Sequence, residues 1–312
     1  MINRAMLANY KAKSMQPAIN VLAHHGKSFR FAGRFLDKQQ LEDCARLYRF
    51  CRFIDDLVDE ASDADAARSQ LEVLKDSLDR GCSADPIVQD FIELTKQCQM
   101  QARVVSELIK GIESDLAPVL LQSESQLLRY CYRVAGTVGL LMCDVFGVRD
   151  TNARNHAIDL GIGMQLTNIA RDVKEDATIG RRYIPSGWIG EVSPEALATP
   201  THTPLRSINE SVGRLLNLAD KYYASGSQGL RFLPSRAQAG ITIAAGVYRE
   251  IGVVLSERGF DIHSGRAHVG LLRKIRVALR STLSNPCSQP YEPHDPSLHI
   301  HLAGLPNAHE PA

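Results

Sequence analysis

Apolar residues along most of the chain recur at intervals of three and four, which is the spacing of one face of an α-helix. Alternation at every second residue, the pattern of a half-buried strand, is scarce. We therefore predict a protein that is helical almost throughout. The predicted helices run approximately over residues 17–25, 38–59, 64–78, 86–99, 101–111, 123–146, 152–176, 205–225, 235–258 and 271–283.

Four polar side chains share one face of the predicted helix that ends near residue 176. At 100° per residue they fall within a sector of about 80°, beside an apolar face. They are Gln165, Asn168, Asp172 and Asp176. Burying such a row is costly unless its oxygens meet a cation or hydrogen-bond donors. The alternative is a solvated acidic face, and this helix alone does not decide between the two.

A second predicted helix carries a matching acidic face. Asp55 and Asp59 are four residues apart, so their carboxylates project from one side about 6 Å from each other, and Tyr48 and Arg52 share that side. Like charges at this spacing destabilise a bare helix, and a cation between them reverses the effect. An all-oxygen ligand set favours Mg²⁺ or Mn²⁺. Two such helices facing each other across a pocket would hold several ions that together bind a diphosphate.

The composition is that of a soluble globular protein, since 44% of the 312 residues are hydrophobic and 23% are charged. A net charge of +1 argues against a nucleic-acid-binding protein held by bulk positive charge. No uncharged run approaches the ~18 residues that span a bilayer, and the start of the chain has no apolar signal-peptide region. Seven cysteines without C-x-x-C spacing argue against a zinc ribbon or a disulfide framework, so we expect a cytoplasmic protein.

The end of the chain differs in composition from the rest. Six of the 14 prolines and four of the 10 histidines follow residue 284, with few apolar residues to pack. We therefore predict one domain over residues 1–283 and a disordered or loosely attached tail over residues 284–312. The tail histidines show no spacing typical of a preorganised metal site, so we expect them to be solvated.

Six stretches of the chain resemble, in order, motifs of the squalene/phytoene synthase family, which joins two prenyl diphosphates head to head. They are HHGKSFRFAGRFL, LYRFCRFIDDLVDE, YCYRVAGTVG, QLTNIARDVKEDATIGRRYIP, YYASGSQGLRFLP and AAGVYREIG, and the resemblance as a whole covers about residues 19–283. The bacterial phytoene synthases are the most similar branch. The resemblance implies an all-α, single-domain isoprenoid synthase bundle around a central apolar cavity.

The resemblance also assigns roles to individual residues. The implied Mg²⁺ ligands are Asp55, Asp59, Asn168, Asp172 and Asp176. The implied substrate-binding residues are His25, Lys27, Ser28, Gln165, Tyr248 and Arg266, with Lys274 as a less secure cation near the diphosphates. The implied participants in catalysis are Tyr48, Arg52, Asp55, Asp59, Arg171, Asp172 and Asp176. The chain departs from the family pattern at Gly26, where many relatives carry serine, and at Arg133, where squalene synthases carry tyrosine.

The implied reaction is the condensation of two geranylgeranyl diphosphates through prephytoene diphosphate to phytoene, the first committed step of carotenoid biosynthesis. It requires Mg²⁺ or Mn²⁺ and no NADPH. The apolar tunnel for the prenyl chains would be lined by residues such as Val134, Ala135, Val138, Leu141 and Met142. Two alternatives stay open: an enzyme that uses farnesyl chains and makes presqualene diphosphate or dehydrosqualene, and a non-catalytic relative that acts in assembly. We expect a monomer that contacts prenyl diphosphates, downstream carotenoid enzymes and the membrane periphery, but not nucleic acid.

Arg181 and Arg182 follow the second acidic helix in a basic loop. Pairing with the acids at the helix end and gating of the substrate are equally compatible with this position.

Overall fold

A computed structural model describes residues 17–25, 33–61, 63–199, 205–283 and 290–309. Thirteen α-helices lie within these ranges: α1 (Ala18–His25), α2 (Lys38–Asp59), α3 (Ala64–Arg80), α4 (Pro86–Gln97), α5 (Ala102–Glu113), α6 (Glu124–Cys131), α7 (Thr137–Val145), α8 (Thr151–Thr178), α9 (Ser186–Ile189), α10 (Pro194–Ala198), α11 (Leu205–Gly229), α12 (Ser235–Glu257) and α13 (Leu271–Leu283). Short 3₁₀ turns cover Ser114–Leu116, Leu230–Phe232 and Pro296–Leu302. The only β-type pairing in these ranges is an isolated bridge between Leu120 and Arg182. The all-α prediction is confirmed.

Aspartates fix the first turns of three long helices. Asp37 accepts a hydrogen bond from the backbone N–H of Gln40 at the start of α2, and Asp150 accepts one from Ala153 at the start of α8. Asp85 accepts two at the start of α4, where a proline occupies the first helical position. Each cap satisfies backbone donors that the helix leaves free, and stabilises it by about 1 kcal/mol. The two helices that carry the acidic motifs therefore have well-defined starts.

Glycines let two helices approach α8 at backbone distance. A Cβ atom on Gly139 of α7 would lie 2.2 Å from the carbonyl oxygen of Ala157, and one on Gly226 of α11 would lie 2.8 Å from the Cα of Leu160. No side chain fits at such distances, so glycine is required at both positions. The close approach makes α8 the central helix, with α7 and α11 packed directly against it.

The helix predicted over residues 123–146 is interrupted in the structure. A π-helical turn, Tyr132–Gly136, separates α6 from α7. Such turns are rare, and they occur frequently at functional sites. Here the turn carries Val134 and Ala135 into the wall of an apolar cavity. Sequence periodicity does not reveal a single inserted residue of this kind.

The prediction of a disordered tail is wrong for residues 290–309. His299 and Leu302 are fully buried in this segment. Its backbone carbonyls accept hydrogen bonds from the helical body: Arg129 donates to those of His301 and Ala303, and Tyr222 donates to that of Leu298. Main-chain groups and buried histidines, rather than a run of apolar side chains, hold the segment in place. Composition therefore gave no sign of its order.

Two histidines of the tail are buried next to the carboxylate of Asp159 on α8. The Nε2 atoms of His294 and His299 each lie 3.0 Å from an oxygen of Asp159, and the possible ligand atoms of the three side chains all lie within 4.8 Å of one another. The backbone N–H of His309 donates to Nδ1 of His299, so the proton of this neutral ring is on Nε2 and is donated to Asp159. Burial alone would raise the pKa of Asp159, but the interactions with the two histidines outweigh it and the pKa is lowered. Hydrogen bonding thus accounts for the position of His299, and the solvated state expected for the tail histidines is wrong for His294 and His299.

We predict that His299→Ala lowers the free energy of unfolding by about 2–4 kcal/mol, because it leaves a buried carboxylate without one of its donors. Burial lowers the pKa of His299. The unfolded chain therefore binds a proton first as the pH falls below about 6.5, and the wild-type protein loses stability from there downwards. Urea unfolding at pH 8 and pH 5.5 measures both effects.

The matched control for this experiment is His301→Ala. His301 is only half-buried, and the structure uses its backbone oxygen. We expect His301→Ala to change the free energy of unfolding by less than about 0.5 kcal/mol and to leave its pH dependence unaltered. Equal losses in the two variants would contradict the role of the Asp159 cluster.

Candidate active site

A polar cavity of about 360 Å³ lies between α2 and α8. Its lining includes all the carboxylates and the amide predicted as metal ligands, and they are Asp55, Asp59, Asn168, Asp172 and Asp176. α2 contributes two of them and α8 contributes three. The structure therefore brings the two acidic faces predicted from the sequence together around one cavity.

Two of these carboxylates are held where ionisation is unfavourable. The pKa of Asp55 is raised to about 7, mainly by burial. The charge of Arg52 lowers the pKa, and the negative charges of Asp59 and Asp115 contribute to raising it. Burial, followed by the charge of Asp172, raises the pKa of Asp176 to about 7. A cation in the cavity would favour the ionised form of both groups.

The buried amide oxygen of Asn168 supports the same conclusion. Its Oδ1 atom is shielded from solvent and has no hydrogen-bond partner among the described residues, whereas its Nδ2 atom donates to Gln165 at 3.3 Å. An unpaired buried acceptor is costly. The donor set of carboxylate and amide oxygens is the one that Mg²⁺ prefers. The residues present therefore fit a hard divalent cation.

Asp172 is paired differently from the other carboxylates. Arg171 donates to both of its oxygens at 2.7 and 2.5 Å, and Arg266 donates to both at 2.8 and 2.9 Å. Burial alone would raise the pKa of Asp172, but these hydrogen bonds outweigh it and the pKa is lowered. The predicted metal ligand Asp172 is thus ion-paired in the structure with Arg171, which was assigned to catalysis, and with Arg266, which was assigned to substrate binding.

An apolar cavity of about 400 Å³ adjoins the polar one. Asp55, Gln165 and Asn168 line both cavities, so the two meet at these side chains. The apolar walls come from α2, the π turn, α7, α8 and α12, with Tyr48 and Tyr248 among the lining residues. Burial raises the pKa of Tyr48 to about 12 and also raises that of Tyr248. Both tyrosines are therefore neutral hydroxyls bordering an apolar space.

The family model for squalene/phytoene synthase matches residues 22–273. The chain belongs to the squalene/phytoene synthase family. Among curated relatives, the phytoene synthase of Pseudescherichia vulneris is 34% identical over 277 residues, which cover 84% of this chain and 89% of the relative. The 15-cis-phytoene synthase of Enterobacter agglomerans is 34% identical over 269 residues, which cover 82% and 90%.

Solved structures of this family share the fold. A dehydrosqualene synthase in complex with ligand superposes with a TM-score of 0.77 at 23% identity, over 88% of this chain and 97% of that one. The squalene synthase HpnC of Alicyclobacillus acidocaldarius gives a TM-score of 0.66 at 19% identity, over 78% and 95%. The predicted family and its helical bundle around an apolar cavity are confirmed.

Several residues assigned from the family resemblance can be located in the structure. Arg52 lines the polar cavity and lies 2.5 Å from Asp56 on its own helix. Lys274 lies on α13, where it is half-buried. His25 ends α1, but its side chain lies outside the described part of the structure, as do Lys27 and Ser28 altogether.

One of the residues named for the apolar wall is misplaced. Val134, Ala135, Val138 and Met142 line the cavity as predicted. Leu141 is instead fully buried in the main hydrophobic core, because it projects from a different side of α7. The tunnel prediction is wrong for this residue.

A hydrogen-bonded cluster that the sequence patterns do not predict lies at the edge of the polar cavity. Asp115 accepts hydrogen bonds from the hydroxyls of Tyr130 and Tyr183, both at 3.0 Å, and these hydroxyls lie 3.1 Å apart. Arg181 donates to Asp59 at 3.1 Å and to the backbone oxygen of Asp115. Both tyrosines lie within the family motifs quoted above, which was a usable signal, whereas Asp115 belongs to a short 3₁₀ turn with no pattern of its own.

The two arginines of the basic loop have different environments. Arg181 faces the polar cavity and pairs with α2 rather than with the end of its own helix. Arg182 is buried and donates to the backbone oxygens of Leu121 and Ile184. Arg182 therefore holds the loop, and Arg181 is the one available to an anion in the cavity.

Proposed function

We propose that this chain is a prenyltransferase that condenses two geranylgeranyl diphosphates head to head, through prephytoene diphosphate, to 15-cis-phytoene. The observation that carries the proposal is the junction of the two cavities at Asp55, Gln165 and Asn168. A prenyl diphosphate bound there would have its charged end among acids and arginines and its hydrocarbon chain in the apolar space. The curated relatives named as phytoene synthases, at 32–34% identity over most of the chain, favour the C20 substrate.

Divalent cations are part of the proposal, since the squalene/phytoene synthase family acts on prenyl diphosphates. Asp55, Asp59, Asn168, Asp172 and Asp176 would hold Mg²⁺ or Mn²⁺, which stabilises the negative charge that develops on the departing diphosphate. Their oxygens already converge on the polar cavity.

The side chains of the cavity would act on the diphosphate and on the carbon chain in different ways. Arg52, Arg171 and Arg181 line the polar cavity and would bind diphosphate oxygens directly. Loss of diphosphate leaves an allylic cation, which the double bond of the second substrate would capture with loss of a proton. The cyclopropyl intermediate would then lose the second diphosphate, and the rearranged cation would lose a further proton to give the hydrocarbon. Tyr48 and Tyr248 border this space without bearing charge. An apolar lining around them excludes water that would trap the cations as alcohols.

Product identification tests the proposal. The purified chain is incubated with geranylgeranyl diphosphate and Mg²⁺ without NADPH, and in parallel with farnesyl diphosphate. We expect a C40 hydrocarbon with a central conjugated triene, identified as phytoene by chromatography and mass spectrometry. A C30 product from the farnesyl substrate alone would instead favour a presqualene or dehydrosqualene synthase. No consumption of either substrate would favour a non-catalytic relative.

A cytoplasmic monomer with peripheral membrane contact completes the proposal, with downstream carotenoid enzymes as its partners. The six cysteines within the described residues are all free thiols, which suits a reducing compartment. One helix in the same part of the chain, α12, is long and apolar enough to cross a membrane. Gly240, Ile241 and Ala244 on α12 line the apolar cavity, which is the arrangement of a core helix.

A further inference from the structure

Helix α13 exposes a continuous apolar face. Leu271 and Leu272 are 67% and 82% exposed, and Ile275 and Leu279 are 42% and 59% exposed. At 100° per residue these four side chains fall within a sector of about 100°. Single exposed apolar residues are ordinary on a protein surface, but a stripe of four large ones along one short helix marks an interaction surface.

The charges of α13 are all of one sign. The helix sequence LLRKIRVALRSTL contains four basic residues and no acidic one. On the helical wheel, Lys274 lies beyond one edge of the apolar sector and Arg276 lies beyond the other, with Arg280 next to it. Arg276 and Arg280 are exposed. An apolar stripe bordered by cations is the pattern of a helix that lies in the interface of an anionic membrane.

The opposite side of α13 packs on α12. A Cβ atom on Gly246 of α12 would lie 2.7 Å from a methyl carbon of Val277, so the two helices are in close contact. Arg273 forms ion pairs with Glu250 at 3.2 Å and Glu257 at 2.6 Å on α12. This packing fixes the rotation of α13 about its axis and holds the apolar stripe outwards.

Helix α12 in turn forms part of the apolar cavity wall, through residues that include Ala244 and Tyr248. A single helix therefore separates α13 from the space proposed for the prenyl chains. Arg266, which precedes α13 by five residues, reaches Asp172 in the polar cavity. Helix α13 thus lies near both parts of the candidate active site, with its apolar stripe on the outer side.

We propose that α13 binds the surface of an anionic lipid bilayer, with Leu271, Leu272, Ile275 and Leu279 inserted below the head groups and with Lys274, Arg276 and Arg280 among the head groups. The binding itself follows from α13 alone. The role of this binding rests on the proposed function: the enzyme would take up a lipid diphosphate from the membrane and return a hydrocarbon product to it without passage through water. A second copy of the chain is the competing occupant of this face, and the basic borders of the stripe would repel each other across such a contact.

Vesicle co-flotation of the full chain, without substrate, tests the binding. We expect recovery with vesicles of phosphatidylcholine containing phosphatidylglycerol at low salt, and at least roughly tenfold less with phosphatidylcholine alone or at high salt. The double variant Leu272→Asp/Leu279→Asp should lose binding by about a hundredfold, since it places two charges in the apolar stripe. Arg276→Glu/Arg280→Glu should lose the preference for anionic vesicles.

Val73→Asp is the matched control, because Val73 is a 61% exposed apolar residue on another helix, α3. It should float like the wild type. Binding that survives the Leu272/Leu279 change, or that is absent from both vesicle types in the wild type, overturns the inference. The inference is also overturned if light scattering shows that the wild type is a dimer and that the Leu272→Asp/Leu279→Asp variant is a monomer.

Turnover in two media separates this inference from the proposed function. With substrate in detergent micelles, the Leu272→Asp/Leu279→Asp variant should match the wild type, and with substrate in anionic vesicles it should be roughly tenfold slower. A wild type that floats but turns over neither C15 nor C20 substrate sinks the proposed function and leaves the membrane inference standing. A wild type that turns over substrate fully but does not float with vesicles supports the proposed function and overturns the membrane inference.

Discussion

Replacing Asp55 or Asp176 with asparagine should lower kcat/KM for geranylgeranyl diphosphate by at least about a thousandfold at saturating Mg²⁺, because the polar cavity loses a charge that binds the cation while keeping its shape. The folded protein should not be weakened. Burial raises the pKa of each carboxyl to about 7, so each ionised group destabilises the ion-free fold. Product formation and thermal unfolding in EDTA measure the two effects.

The stability effect of these variants has a defined pH dependence. A folded-state pKa of about 7 lies above the unfolded value of about 3.9, so the folded state binds more protons between these values. The wild type should therefore lose stability relative to Asp55→Asn as the pH rises from about 4 to about 7. Below about pH 4 the two proteins should converge. A constant difference across this range would contradict the burial of an uncompensated carboxylate.

Asp65→Asn is the control for both measurements. Asp65 lies in the first turn of α3, where its exposed side chain pairs with Arg68. Its loss should leave kcat/KM unchanged and alter stability by less than about 0.5 kcal/mol. Retention of more than a tenth of wild-type activity by Asp55→Asn would argue against the assigned metal site.

Removal of divalent cations should abolish turnover, with a residual rate at least about a thousandfold below that of the Mg²⁺-loaded protein. The reason is that α2 and α8 place four carboxylates around one cavity. The arginines of the cavity are too few to balance both these carboxylates and the negative charge of a departing diphosphate. The measurement is product formation after dialysis against EDTA, followed by addition of Mg²⁺ or Mn²⁺.

Binding provides the second readout for the same experiment. Mg²⁺ together with inorganic diphosphate should raise the melting temperature of the wild type, and should raise that of Asp55→Asn much less. Turnover that continues at an unchanged rate in excess EDTA would eliminate the metal-dependent reaction, whatever the melting data show.

The sequence predicts the parts of the site that repeat along a helix. The spacing of Asp55 and Asp59, and that of Asn168, Asp172 and Asp176, follows from helical periodicity alone, and the structure brings both sets together. The family motifs then relate two sets of ligands, Asp55 and Asp59 on α2 and Asn168, Asp172 and Asp176 on α8, that are more than a hundred residues apart in the chain. Periodicity and motif order thus sufficed for the acidic cavity.

The parts that could not be predicted depend on contacts without periodicity. Asp115 meets Tyr183 across 68 residues of sequence, and neither shares a helix face with a predicted ligand. The segment 290–309 is held through backbone oxygens, which every residue type possesses, and through two histidines that reach Asp159 across more than 130 residues of sequence. Its prolines and histidines therefore suggested disorder. The position of Leu141 depended on the exact rotation of α7 after a π turn that no pattern indicated.

The pairing of Asp172 with Arg171 and Arg266 has a consequence for how ligands bind. A cation that bound Asp172 alone would leave the guanidinium groups of Arg171 and Arg266 without their ion-pair partner. An anion that bound the two arginines alone would leave the carboxylate of Asp172 without its partners. The two kinds of ligand should therefore show positive heterotropic cooperativity, each increasing the affinity of the other by the same factor. The resting protein would thereby discriminate against free phosphate and against Mg²⁺ by itself, and would respond only to their joint arrival.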